Sequence, residues 1–146
     1  MRYSAFRADE DGAAVVEFAL VLPVLLLIMW GIIEIGRAFY TINNAASAAR
    51  EGARMGAVCP LPLQPGTGQP LMLASCITNI RARVALNFQP LGAPLDTSQV
   101  FVTPDVGIAV TGPITVRIDY PYEPLTPLDW RFPMTRSATF RYERGP

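Results

Sequence analysis

Few residues in this sequence could do chemistry, and the first is a carboxylate in apolar surroundings. Glu17 lies near the start of the hydrophobic stretch formed by residues 13–33. A charged carboxylate inside a membrane is unfavourable by a few kcal/mol, on the order of the ~2.5–3.5 kcal/mol assigned to Asp at the centre of a span, unless it is protonated or paired. Glu17 therefore asks for a partner. Cys59 and Cys76 are the only thiols, histidine is absent, and all 12 basic residues are arginine. The commonest general base and metal ligand is thus missing, and without lysine Schiff-base chemistry is excluded. Two cysteines with no histidine make a poor zinc site. Asp119, Glu123 and Asp129 are scattered through a strand-like segment and a loop, where ordinary solvation accounts for them. The sequence presents no catalytic set, no cofactor or metal site and no recognisable site for a small-molecule substrate. Its 12 acidic residues balance the arginines, so it carries no nucleic-acid footprint either.

The element that must position Glu17 is a helix. The fully uncharged run, residues 18–33, is 16 residues long, which at a rise of ~1.5 Å per residue covers roughly 24 Å. A hydrocarbon core of about 30 Å calls for around 20 residues, and the stretch reaches that length only when residues 13–17 are included. Glu17 is thereby placed at or within the membrane edge. A cleaved secretory signal, with Arg2 and Arg7 as its basic region and Ala46-Ser47-Ala48 as the cleavage site, fits less well. The apolar run is longer than the usual ~7–15 residues, and the small triplet falls well past its end within a helical pattern. A plain single-pass anchor explains the apolar run but not the acidic residue near its start.

Gly12 marks a change of character. The residues before it include Arg2, Arg7, Asp9, Glu10 and Asp11, and those after it are apolar apart from Glu17. Glu17 is the fifth residue past Gly12, and Phe18 follows it. This hydrophilic leader, residues 1–12, ending in glycine with Glu five positions on and an aromatic next, resembles the site that prepilin peptidases cut in type IV pilin-like proteins. Taken by itself the same pattern also describes a glycine ahead of a helix start, with Glu17 in a first turn favoured by the helix dipole. Further along, Gly12-Ala13-Ala14-Val15-Val16-Glu17-Phe18-Ala19-Leu20-Val21-Leu22-Pro23 leads to Gly31-Ile32-Ile33-Glu34-Ile35-Gly36-Arg37 and then to Ala48-Ala49-Arg50-Glu51-Gly52-Ala53-Arg54. This looks like the TadE-like family, the pseudopilins of the tight-adherence (Flp) pilus machinery. Looser agreement continues through Ile114 to Tyr120, Pro121-Tyr122 and Ser137-Ala138-Thr139-Phe140-Arg141-Tyr142.

The helix has its own pattern beside that resemblance. Past the span, Ala38, Ile42, Ala45 or Ala46, Ala49, Ala53 and Gly56 recur at three- and four-residue steps, while Asn43, Asn44, Ser47, Arg50, Glu51 and Arg54 fall largely elsewhere. Small side chains allow close approach of another backbone, belonging either to the chain's own domain or to a neighbouring helix. A rod over residues 13–58 would measure roughly 69 Å and project beyond the bilayer, with Pro23 as a site for a kink. Glu34 and Arg37 are spaced for an interfacial i,i+3 ion pair worth tenths of a kcal/mol, or for a partner contact.

Residues 59–70 hold four prolines and two glycines, so the helix ends there. A short helix from about Ala74 to Phe88 follows, with Ile77, Ile80, Val84 and Phe88 apolar. In an oxidising compartment a Cys59–Cys76 disulfide would pin the loop to this helix, adding about 3 kcal/mol by the loop-entropy model; the alternative is a pair of free thiols. Residues 100–103, 106–110 and 114–120 are β-rich, with a turn at Thr111-Gly112-Pro113, and a final strand is expected over residues 135–142. The proline- and aromatic-rich connection over residues 121–133, with Tyr122, Leu125, Leu128, Trp130 and Phe132, should pack down or serve as a contact surface. The fold class is α+β: a long N-terminal transmembrane, pilin-like helix over residues 13–58, then a small domain over residues 59–146 with an antiparallel sheet packed on helix.

The resemblance implies a non-enzymatic pseudopilin. It would be cut between Gly12 and Ala13 by a prepilin peptidase, with Glu17 serving N-terminal pairing and assembly. Its partners would be the membrane, other pilins or pseudopilins and the inner-membrane platform. It also implies a cytoplasmic N-terminus and a periplasmic domain, which arginine placement does not decide, since Arg2 and Arg7 precede the span and Arg37, Arg50 and Arg54 follow it. A type II secretion pseudopilin, and an anchored sensor or enzyme domain unrelated to pili, are the alternatives.

Overall fold

The computed structural model describes residues 4–125 and 131–143, with side chains from Gly12 onward. Helix α1 (Ser4–Ala57) is followed by α2 (Ala74–Asn87), β1 (Val100–Thr103), β2 (Ile114–Tyr122) and β3 (Phe132–Phe140). The architecture is α+β: a long N-terminal helix, a short helix and a three-stranded antiparallel sheet in the order β1-β2-β3. α1 already begins at Ser4 and runs through Gly12, and Pro23 lies inside it without ending it. Packing divides the chain after Gly36.

Among the described residues up to Gly36 no apolar side chain is buried by the chain itself. Leu20 is 73% exposed, Leu27 72% and Ile32 67%. An apolar surface of that extent marks a membrane or a protein interface, and the described helix is long and apolar enough to cross a membrane.

From Arg37 onward the same helix is amphipathic and faces a core. Its buried positions are Thr41, Ala45, Ala48, Ala49, Gly52, Ala53, Gly56 and Ala57. They meet the apolar sides of α2 and β2. A Cβ placed on Gly52 would run into Val84 Cγ2 and lie 3.4 Å from Val116 Cγ1. One on Gly56 would lie 3.0 Å from both Ile114 Cγ2 and Ile80 Cδ1. Alanine is favoured over glycine inside a helix by ~1 kcal/mol, so glycine is retained at both positions against local preference, and close packing is the reason. The small-residue face is thus used within the domain.

β2 alternates as its sequence pattern requires. Ile114, Val116, Ile118, Tyr120 and Tyr122 are buried, while Arg117 is exposed and Thr115 and Asp119 are partly covered. α2 adds Cys76, Ile77, Ile80 and Val84 to the core, and Phe88 at its end meets Tyr120 edge-on with ring centroids 5.0 Å apart. On the outer face Arg117 lies over Phe101 at 4.8 Å, and Thr135 donates to Asp119 Oδ1 at 2.9 Å.

Two strand expectations change. Residues 106–110 form no strand, because Gly107 adopts φ 77° and the segment's hydrogen bonds go to the chain beside α2. Gly107 N donates to Met72 O (2.9 Å), Met72 N to Ile108 O (3.1 Å) and Val110 N to Pro70 O (2.7 Å). The last strand begins at Phe132 and ends at Phe140, because β2 continues through Pro121 and Tyr122 and pairs them with Pro133 and Phe132. The connection between them shortens accordingly. Tyr122 is buried and Leu125 exposed, while Leu128 and Trp130 lie outside the described residues.

Gly52→Ala is expected to destabilise the full-length protein in detergent, since overpacking costs roughly 1–3 kcal/mol against the ~1 kcal/mol gained in helix propensity. Gly52→Val should be worse. Thermal unfolding followed by circular dichroism reads both, and an unchanged or raised midpoint for Gly52→Val would show that the packing at this crossing is not tight.

Candidate functional site

The candidate site is the start of the apolar helix rather than a cleft. Gly12, Ala13 and Glu17 lie on one continuous stretch of α1. All three are exposed. A Cβ on Gly12 would meet nothing within 4 Å, so no contact within the chain requires glycine there. Ala13 and Glu17 are four positions apart, about one helical turn and ~6 Å of rise, which places an amine created at residue 13 within reach of the Glu17 carboxylate. No described side chain pairs with Glu17.

The loop that ends α1 is built around Cys59 and Cys76. The structure joins the two sulfurs, with Cα atoms 6.2 Å apart and a sequence separation of 17; that Cα distance falls within the ordinary range for disulfides. Between them the chain forms a small bridged loop. Leu63 pairs with Pro70, Gln64 N donates to Gln69 O at 2.8 Å and Leu71 N to Pro62 O at 2.9 Å. Tyr142 Oη donates to Cys59 O at 3.1 Å, and Glu143 N to Ala57 O at 3.0 Å. The end of the sheet is thereby held against the end of α1.

Three carboxylates of the domain pair with arginines, whereas Asp96 and Asp105 accept from the backbone N–H groups of Ser98 and Val106. Glu51 accepts from Arg54 at 2.9 and 3.0 Å and lies 3.8 Å from Arg83 Nε. The hydrogen bond from Arg54 holds the Glu51 carboxyl below its ordinary range, and the same bond raises the Arg54 guanidinium. Asp119 pairs with Arg117 at 2.9 Å and Glu123 with Arg131 at 3.3 Å, while Asp129 lies outside the described residues. Burial, with a smaller contribution from Glu123, pushes the Tyr120 phenol up, which keeps it a donor to Ala93 O at 2.8 Å. An open depression of about 660 Å³ is lined by Gln69, Val110, Thr111, Gly112, Pro113, Arg141 and Tyr142, a set without a carboxylate or a nucleophile beside a base. Among the described residues no group of three or more His, Cys, Asp or Glu could hold a metal ion.

Some contacts were not visible in the spacing. Arg37, read as half of an ion pair with Glu34, donates Nη2 to Leu91 O at 2.9 Å. Asn44 Nδ2 donates to Gln89 O at 2.8 Å. Both anchor the chain that follows α2, and neither partner could be read from a helical period, because each is a backbone carbonyl on an irregular segment, 54 and 45 residues away.

Residues 12–54 match the family model described as TadE-like protein, which bears out the resemblance read from Gly12 through Arg54. The match ends inside α1, so α2 and the sheet lie beyond it. Comparison with curated proteins and with solved structures finds no match. The matched family is one of structural proteins of pilus assembly. Together with the apolar N-terminal helix, the match fits a membrane protein associated with a Tad pilus.

Without reductant, denatured full-length protein is expected to leave Cys59 and Cys76 unlabelled by maleimide, and reduction should free both. Cys76→Ser should lower stability by about 3 kcal/mol in the loop-entropy model. Complete labelling before reduction in protein taken from its native membrane would contradict the bond.

Proposed function

We propose that the protein is a pseudopilin of a Tad (Flp) type IV pilus assembly system. The reading rests on one observation: Gly12, Ala13 and Glu17 sit exposed at the start of an uncovered apolar helix, within the stretch that matches the TadE-like family. A prepilin peptidase cuts between Gly12 and Ala13. The new amine, with an ordinary pKa near ~8, then lies about one turn from Glu17. Each charge is costly alone at the membrane edge. The pair is satisfied within one subunit or, during assembly, by the amine of a neighbouring subunit in the correct axial register, so that a polar pair in apolar surroundings sets the register.

Residues 13–33 hold the protein in the inner membrane, with the N-terminus in the cytoplasm, where the peptidase and the assembly platform meet it, and the domain from Arg37 onward in the periplasm. The protein acts as a structural subunit and performs no catalysis. Gly31 and Gly36, where a Cβ would also meet nothing within 4 Å, leave the membrane part open to close approach by other helices.

Intact mass measurement of protein from the native membrane should find a chain beginning at Ala13. Gly12→Ala should block or slow the cut, and because Gly12 touches nothing, such a block would not reflect misfolding. Glu17→Ala should leave membrane insertion intact and impair assembly. A membrane form that retains residues 1–12 while the pilus system works would leave a plain single-pass anchor in place of the pseudopilin.

A further inference from the structure

We propose that the segment after α2, residues 89–95, is a second membrane contact. The proposal rests on the membrane-anchored reading above and adds to it a surface outside the stretch that matches the family.

The placement comes from Arg37 and Asn44. Arg37 follows almost directly on the exposed apolar run of α1, whose last large apolar residue, Ile35, is 60% exposed. It therefore stands where the helix leaves the hydrocarbon. Its guanidinium bonds Leu91 O at 2.9 Å, and two turns on Asn44 bonds Gln89 O at 2.8 Å. Tyr120 Oη fixes Ala93 O from the sheet side at 2.8 Å. Leu91 is thus held at the height of Arg37, with Gln89 fixed about two turns further along α1 and Ala93 fixed from the sheet.

Its composition suits a lipid surface better than water or a charged partner. From Val84 to Leu95 the chain carries no charged residue; Arg83 and Asp96 bound the stretch. Leu95 packs against the core, whereas Leu91 is 51% exposed. On α1 just beyond Arg37, Phe39 is 61% and Tyr40 48% exposed, and aromatic residues at this level form the belt by which membrane proteins meet the headgroups. Arg37 and Leu91, with Phe39 and Tyr40 around the helix at nearly the same level, are the interfacial groups, and they follow directly along the chain from the span.

The test uses full-length protein, one chain per lipid nanodisc, with an environment-sensitive fluorescent amino acid replacing Leu91, Leu63 or Leu27 one at a time. Leu63 is 62% exposed and belongs to the loop after Ala57, where α1 ends about 30 Å along the helix from Arg37. Leu27 reports the span. Lipids brominated near the headgroup end of the acyl chains should quench the probe at 91 at least twofold more than the probe at 63, with Leu27 quenched by lipids brominated deeper. If Leu27 is quenched while 91 behaves like 63, the proposal is overturned and the anchor stands. Equal strong quenching at 91 and 63 also overturns it, since the whole domain would then lie on the bilayer. Absence of quenching at Leu27 removes the anchor reading itself, and with it the proposal.

Discussion

Close approach between one face of α1 and the side chains of Ile80, Val84, Ile114 and Val116 is the constraint on which the domain depends. At Gly52 and Gly56 the helix backbone comes near enough to α2 and β2 that a methyl group must displace its neighbours. Alanines at 45, 48, 49 and 53 extend this surface, and each is nearly or fully buried. A flat, small face lets a short helix and a three-stranded sheet enclose a core without large side chains from the long helix. The disulfide loop and the Tyr142 hydrogen bond then close the far end, where α1 stops.

That constraint also determines what is left for other molecules. Because the small-residue face from Thr41 to Ala57 is consumed by the chain's own domain, surface for lipid and for other subunits must come from elsewhere. The part before Gly36 offers it, with its apolar side chains exposed on every side and Glu17 the exposed carboxylate near its start. A carboxylate at a membrane edge is tolerated when a positive group meets it, and cleavage after Gly12 is a way to make one. On the proposed function, processing and assembly are linked by the same electrostatic cost.

Much of this was legible in the sequence because it follows local rules. The period of three and four in residues 38–56, the alternation from Ile114 to Tyr120 and the proline-rich break after Cys59 each report burial directly. The apolar run was legible for the same reason, and Gly12 and Glu17 lie exposed at its start. Ala48 and Gly52 were not assigned to the buried face because it is broader than the stripe the spacing suggests, extending across both α2 and β2. Residues 106–110 read as a strand on composition, yet the left-handed Gly107 and hydrogen bonds to residues 70–72 decide otherwise. The tethers from Arg37 and Asn44 end on main-chain carbonyls of a distant loop, which carry no side-chain signature. What the start of α1 meets in a membrane is likewise fixed by partners outside the chain.

In the proposed assembly the membrane part of α1 contacts another subunit in a register set by Glu17. A photo-crosslinking residue in place of Leu20, which is 73% exposed and within a turn of Glu17, tests it in cells assembling the pilus. An adduct with a second membrane-embedded pilus subunit is expected, lost or moved to a different site when Glu17→Ala is added. An adduct that is indifferent to Glu17, or crosslinks to lipid alone in cells with working pili, would contradict it.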